Sequence, residues 1–401
     1  MVDNLKLYVL EEDYNMMAGA DWPSFRDYLN GAVGKNPTIQ KELDKFTEEQ
    51  IALGPKKVFN VTWTTKYRPT NFDDPDHDLV YKRQAFNLPS VKTGIKHRCY
   101  VPFTNVTVDV NGRVFVCHCD GFVPFPVGHI MDFHSFDEIF SSPKAVEIQE
   151  SIASGEYNFC AVDQCGMRYA PGNVITPLSL YIQIDISCNI TCPSCREHMV
   201  FIKDEQIIDG YFVWTERMKE WIAKSDKPVR VELAGGDPFA SLLYKRVIDS
   251  YAELSTINFS IKTNALLMKK NSETIDKIKD KTVFSISIDA ATKETYEIVR
   301  RGGDWDQLIS NLEYFLTLNK TALGNFVIQR ANYKECIDFV KFCRQYKLIP
   351  NFTALQDWGT WHNFDEQCVH IPSSPHYEEF KEIFKNKIFK TVNLSSIKAW
   401  L

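Results

Sequence analysis

Between about residue 178 and residue 354 the sequence alternates short β-branched or aromatic runs with longer amphipathic stretches, and this alternation limits the fold more than any other feature. The candidate strands are LYIQIDIS (180–187), VRVELA (229–234), NFSIKT (258–263), VFSISID (283–289), NFVIQ (325–329) and a weaker run from Pro350 to Ala354. Helical stretches lie between them at Gly210 to Lys224, Asp304 to Leu318 and Lys334 to Tyr346. The second opens with Asp304 and Gln307, at the spacing of an N-terminal cap and its reciprocal partner. Six such units predict an α/β fold, a parallel sheet curled into a partial (β/α)6 barrel. In folds of this kind chemistry gathers at the C-terminal ends of the strands.

Upstream the pattern changes. Residues 1–90 read as a partly helical region, with a helix from Pro37 to Leu53 stopped by Gly54 and Pro55, and TKYRPTNFDDPDHD reads as a linker. Residues 91–174 form a small cysteine-rich α+β module. There NVTVDVNGRVFVCHC is expected to make a hairpin with Asn111-Gly112 as a two-residue turn, followed by a helix and by Cys160 and Cys165. The core is assigned to 175–355 and a tail to 356–401.

The chain has 11 cysteines among 401 residues, and its N-terminus is acidic where a signal peptide would be basic and then apolar. No apolar run is long enough to span a membrane, so a cytoplasmic location is expected, where thiols serve as ligands or packing more often than as disulfides. The net charge of −6 gives no footprint for nucleic-acid binding.

Cys188, Cys192 and Cys195 follow the first core strand directly, on a loop where a barrel active site is expected. Thiolate is the soft donor an iron-sulfur cubane needs, and three of them leave one of four irons open to chelate a small molecule. The alternative is a structural zinc site, for which only His198 is near as a fourth ligand, or buried thiols. One strand later, Gly235-Gly236-Asp237-Pro238 reads either as a plain strand-to-helix turn or as a loop that lets a ligand approach the backbone.

The C-x3-C-x2-C spacing, the GGDP loop and VFSISIDAATKETYEIVRRGGDWDQLISNL together resemble the radical S-adenosylmethionine (SAM) superfamily. The resemblance implies a 4Fe-4S cluster on Cys188, Cys192 and Cys195 and SAM chelated at the open iron. One electron then cleaves SAM to a 5'-deoxyadenosyl radical. It places the SAM amino group at Gly235, Gly236, Asp237 and Pro238, with Asp where relatives carry Glu. The carboxylate falls to Ser287 and Arg300, with Arg301 a near competitor, and the ribose to Thr263 and Asn264. Ser194 stands where relatives often have an aromatic residue, so backbone contacts would hold the adenine.

Cys99, Cys117, Cys160 and Cys165 resemble the ligands of a SPASM or twitch module, which implies one auxiliary 4Fe-4S cluster; Cys119 is an alternative to Cys117, and a zinc ribbon is the competing reading. Here the module precedes the core that it usually follows, and the full two-cluster cysteine pattern is absent. Cys336 and Cys343 lie seven apart on a helix and read as core packing. Cys368, near Trp358, Trp361 and His370, reads as an inert thiol, as a hydrogen-atom donor or as a cap on a cluster. The expected activity is hydrogen abstraction from a carbon of a peptide or protein, fed by a flavodoxin- or ferredoxin-type reductant. Alternatives are oxidation, epimerisation or deoxygenation of a small molecule such as a sugar or aminocyclitol, and a non-catalytic metal-bound binding protein.

Overall fold

The computed structural model describes residues 99–118, 122–160, 177–356, 360–361, 363–394, 397–398 and 401. The expected helix at Pro37 to Leu53, the linker, Cys119, Cys165 and Trp358 lie outside the described residues. Among those described, strands β1 (Asn105–Asp109), β2 (Arg113–Phe115) and β3 (Gly128–His129) are followed by helices α1 (Phe136–Phe140) and α2 (Pro143–Ala153). Then come β4 (Ser179–Asp185), α3 (Glu205–Lys224), β5 (Val229–Gly235), α4 (Leu242–Tyr251), β6 (Ile257–Thr263) and α5 (Ser272–Ile278). The order ends with β7 (Thr282–Ser287), α6 (Lys293–Val299), α7 (Trp305–Thr317), β8 (Ala322–Ile328), α8 (Cys336–Gln345), β9 (Leu348–Ala354) and α9 (Tyr377–Phe384).

Strands β4 to β9 pair in sequence order, all parallel, as the six strand–helix units require. Parallel strands covered on both faces read as unbroken apolar runs, but β5 and β6 alternate. Val229, Val231, Leu233, Ile257, Phe259 and Ile261 are buried, while Arg230, Asn258 and Lys262 are exposed. The sheet therefore keeps an apolar face for the helices and a polar face on which Ser260 Oγ donates to Glu232 at 3.1 Å.

The cysteine-rich module joins the same sheet. β1 runs parallel to β4, with Thr107 opposite Tyr181, and β2 and β3 extend the edge antiparallel. Trp221 Nε1 on α3 donates to Phe133 O at 3.1 Å and fixes the module against the core. Two sequence expectations change here. The hairpin turn has three residues, Val110, Asn111 and Gly112, because Asp109 Oδ1 accepts from both Asn111 N and Arg113 N (2.9 Å each) and Gly112 takes φ 70°. β2 also stops at Phe115, so Cys117 lies beyond the strand. Asp304 caps α7 as expected, accepting from Gln307 N, but the Gln307 side chain reaches Leu266 O instead of returning to the cap.

Ser241 joins a helix cap to the end of β4. Its Oγ accepts from Tyr244 N at 2.9 Å and donates to Asp185 Oδ2 at 2.6 Å, with Ser241 and Asp185 both buried. Ser241→Ala removes both bonds and is expected to cost about 3 kcal/mol in urea unfolding, the sum of a lost cap and an under-bonded buried carboxylate. A cost under about 1 kcal/mol would mean the carboxylate finds another donor.

Candidate active site

The loop after β4 is held from several sides. Ser187 N donates to Asp185 Oδ1 (2.6 Å), Cys188 N donates to Val200 O (2.7 Å), and Cys195 N and Arg196 N both donate to Cys192 O. Thr191 N donates to Arg301 O at 2.9 Å, and Arg301 Nε returns to Thr191 O at 3.0 Å. Arg301 is thus a staple for the loop. From the tail, Thr360 Oγ1 donates to Pro193 O at 2.6 Å.

Cys192 is buried, Cys188 half-buried and Cys195 exposed. Burial pushes the Cys188 thiol up to about 11 and raises Cys192 as well. Two arginines oppose that cost. Arg196, whose Nη1 and Nη2 donate to Ile186 O (2.5 Å) and Gly235 O (2.7 Å), interacts electrostatically with Cys195 and Cys188. Arg300 Nη1 lies 3.5 Å from Cys192 Sγ. The donor set is therefore soft, sulfur only, and faced by compensating positive charge, which fits an iron-sulfur cluster. Among the described residues no three His, Cys, Asp or Glu side chains converge on a point that a single ion would occupy.

The GGDP loop packs against this segment. Asp237 N donates to Ser187 O at 2.8 Å, and a Cβ on Gly236 would stand 2.0 Å from the same oxygen, so the glycine admits protein backbone. Asp237 is fully enclosed. Its Oδ2 accepts from Thr263 Oγ1 (2.9 Å) and Asn264 N (2.7 Å), its Oδ1 from Phe239 N (3.0 Å), and burial raises its pKa. About four acceptor positions exist on a carboxylate, so roughly one remains for a ligand. Asn264 Nδ2 donates to Asn189 Oδ1 at 2.9 Å, which ties the end of β6 to the cysteine loop. Ser287 closes β7 half-buried.

Sequence reasoning missed Asp289. Two residues past β7, with φ 60°, it accepts from Val327 N (2.7 Å) and pairs with Arg300 Nη2 at 2.7 Å. The acidic residue that ends the run VFSISID was the available signal, together with Arg196 directly after the third cysteine. In the module, Cys117 is buried and Cys99 and Cys160 are half-buried. Tyr157 links the last two, its hydroxyl accepting from Cys99 N at 3.4 Å and its carbonyl from Cys160 N at 3.1 Å. Cys336 and Cys343 are fully buried, as core packing requires. Cys368 is buried beside Gln367, whose carbonyl accepts from Arg330 N at 3.1 Å.

Residues 186–343 match the family described as the Radical SAM superfamily, and residues 99–166 match the SPASM family, an iron-sulfur cluster-binding domain. Among curated proteins, GTP 3',8-cyclase of Clostridium botulinum strain Hall is 24% identical over 187 residues, 45% of this chain and 57% of the relative. GTP 3',8-cyclase of Alkaliphilus metalliredigens is 29% identical over 190 residues, again 45% and 57%. The chain thus spans just over half the length of these relatives. A crystal structure of Streptococcus suis SuiB bound to S-adenosylmethionine aligns over 64% of this chain and 50% of that chain, with TM-score 0.39 and 16% identity. A structure of anSMEcpe with bound AdoMet and the Kp18Cys peptide covers 52% and 59%, with TM-score 0.39 and 17% identity.

Proposed function

From the premise that this chain belongs to the radical SAM superfamily and carries a SPASM iron-sulfur domain ahead of its core, we propose that Cys188, Cys192 and Cys195 hold a 4Fe-4S cluster with one iron open for SAM. The observation that carries this reading is the all-sulfur loop after β4, with Arg196 and Arg300 turned toward its thiols. When bound, cluster and cofactor supply the electron that splits the sulfonium bond and the carbon radical that abstracts hydrogen from substrate. The protein's part is position. Gly235, Gly236, Asp237 and Pro238 form the wall for the cofactor's amino group, with Ser287 at the end of β7 and Thr263 and Asn264 at the end of β6. Substrate lies against the polar sheet face, where Glu232 and Lys262 offer both charge signs.

The substrate is a peptide or protein, the class that enzymes with a SPASM module often modify. The second reading, a small molecule, is favoured by the curated relatives, whose name is GTP 3',8-cyclase. Cys99, Cys117, Cys160 and Cys165 hold the auxiliary cluster, and a flavodoxin or ferredoxin type of protein delivers electrons. Among the described residues no helix is long and apolar enough to cross a membrane.

Anaerobic reconstitution with iron and sulfide, then dithionite and SAM, is expected to release 5'-deoxyadenosine and methionine. A protein that takes up zinc, no iron, and cleaves nothing overturns the proposal. Replacing Cys99, Cys117 or Cys160 by Ala should leave cofactor cleavage measurable while lowering product per deoxyadenosine released. Equal loss of both would make the module part of the cleavage site.

A further inference from the structure

The arginine nearest Cys192 is held by an anchor that a simple carboxylate clamp would not need. Arg300 is the C-cap of α6, one turn after Tyr296, and its side chain is only 12% exposed. One terminal nitrogen, Nη2, meets Asp289 Oδ2 at 2.7 Å; the other, Nη1, lies 3.5 Å from Cys192 Sγ. Asp289 is 2% exposed and fixed in turn. Its Oδ1 accepts from Val327 N (2.7 Å), its carbonyl accepts from Asn332 Nδ2 (2.8 Å), and its own N donates to Asn325 O (3.1 Å). A non-glycine residue at φ 60° is strained, and such strain persists where surrounding bonds over-determine it. The guanidinium is thus pre-aimed at sulfur before any cofactor arrives.

We infer that Asp289 and Arg300 form a tethered charge pair that donates a hydrogen bond to the Cys192 sulfur and tunes the reduction potential of the cluster, with Arg300 acting on the cluster's ligand and Asp289 as its positioning residue. The inference rests on the trio holding a cluster. Hydrogen bonds to ligand sulfur and local net charge are among the features that set such potentials. Adding an electron to a cluster already carrying three thiolates increases buried negative charge, and a guanidinium at hydrogen-bonding distance offsets it. Asp289 moderates that effect, since its own negative charge pairs with the other terminal nitrogen of the same guanidinium.

This arrangement predicts opposite signs for two neighbouring substitutions, which loosened packing alone would not produce. Full-length protein is reconstituted anaerobically and titrated by EPR without SAM, and the core cluster is identified as the signal whose shape changes when SAM is added afterwards. Arg300→Gln should shift its midpoint to more negative potential, and Arg300→Lys should restore part of the shift. Asp289→Asn, whose amide oxygen can still accept from Arg300 Nη2 while the negative charge is gone, should shift it to more positive potential. Shifts in the same direction, or none, overturn the inference. So does an unmoved potential in Arg300→Gln with SAM binding weakened tenfold or more, which would make Arg300 a grip on the cofactor's carboxylate. A wild-type chain that takes up no iron removes the cluster reading and this inference with it, whereas iron-loaded variants with unchanged midpoints overturn this inference alone.

Discussion

Cys188→Ala, Cys192→Ala and Cys195→Ala are each expected to lower 5'-deoxyadenosine formation below detection and to remove about four of roughly eight reconstituted irons per chain, the content of one of two four-iron clusters. The size of the effect follows from the ligand count. A cubane with one open iron has no protein ligand to spare, and the loss of one thiolate leaves two. Iron and sulfide analysis alongside chromatography of the cleavage product checks this. Variants that retain four irons in the core and still release deoxyadenosine would show that other groups bind the cluster.

The order of the sheet was legible because each core strand and helix is short, periodic and bounded by turn residues, so the local signal and the final structure agree. The cysteine loop was legible for a different reason. The donor type and spacing of its cysteines survive in one dimension, and the structure places them directly after β4. What could not be read was convergence across the sheet. Asp289 and Arg300 are eleven positions apart, and Asn189 meets Asn264 from 75 positions away. Only the parallel register of β4 to β7 brings those ends to one rim. The hairpin departs for a local reason. Asn111-Gly112 signals a two-residue turn, but the Asp109 carboxylate bonds two amides ahead of it and stabilises a three-residue loop. Nor did the sequence indicate that β1 would align with β4, which makes the cysteine-rich segment an edge of the core sheet.

The glycines of the GGDP loop give the other large effect. Gly236→Ala places a methyl carbon 2.0 Å from Ser187 O, 2.7 Å from Ile186 C and 2.7 Å from Ser187 C, all backbone atoms of the segment entering the cysteine loop. Backbone cannot swing aside as a flexible side chain would. One of the two chains must retreat, breaking the 2.8 Å bond from Asp237 N to Ser187 O and displacing a carboxylate bonded to Thr263 and Asn264. Overpacking with loss of these buried bonds is expected to cost more than about 3 kcal/mol. A lower urea midpoint with impaired iron uptake is the expected readout. Gly210→Ala is the internal control, because Gly210 lies inside α3 and nothing stands within 4 Å of its added carbon. There the substitution should stabilise by about 0.5–1 kcal/mol, since alanine loses less backbone entropy in a helix. Opposite shifts from the same single methyl group would locate the constraint in the close approach of two loops. If Gly236→Ala unfolds at the wild-type urea concentration and takes up iron normally, the two backbones do not touch there, and the glycine pair serves only the turn.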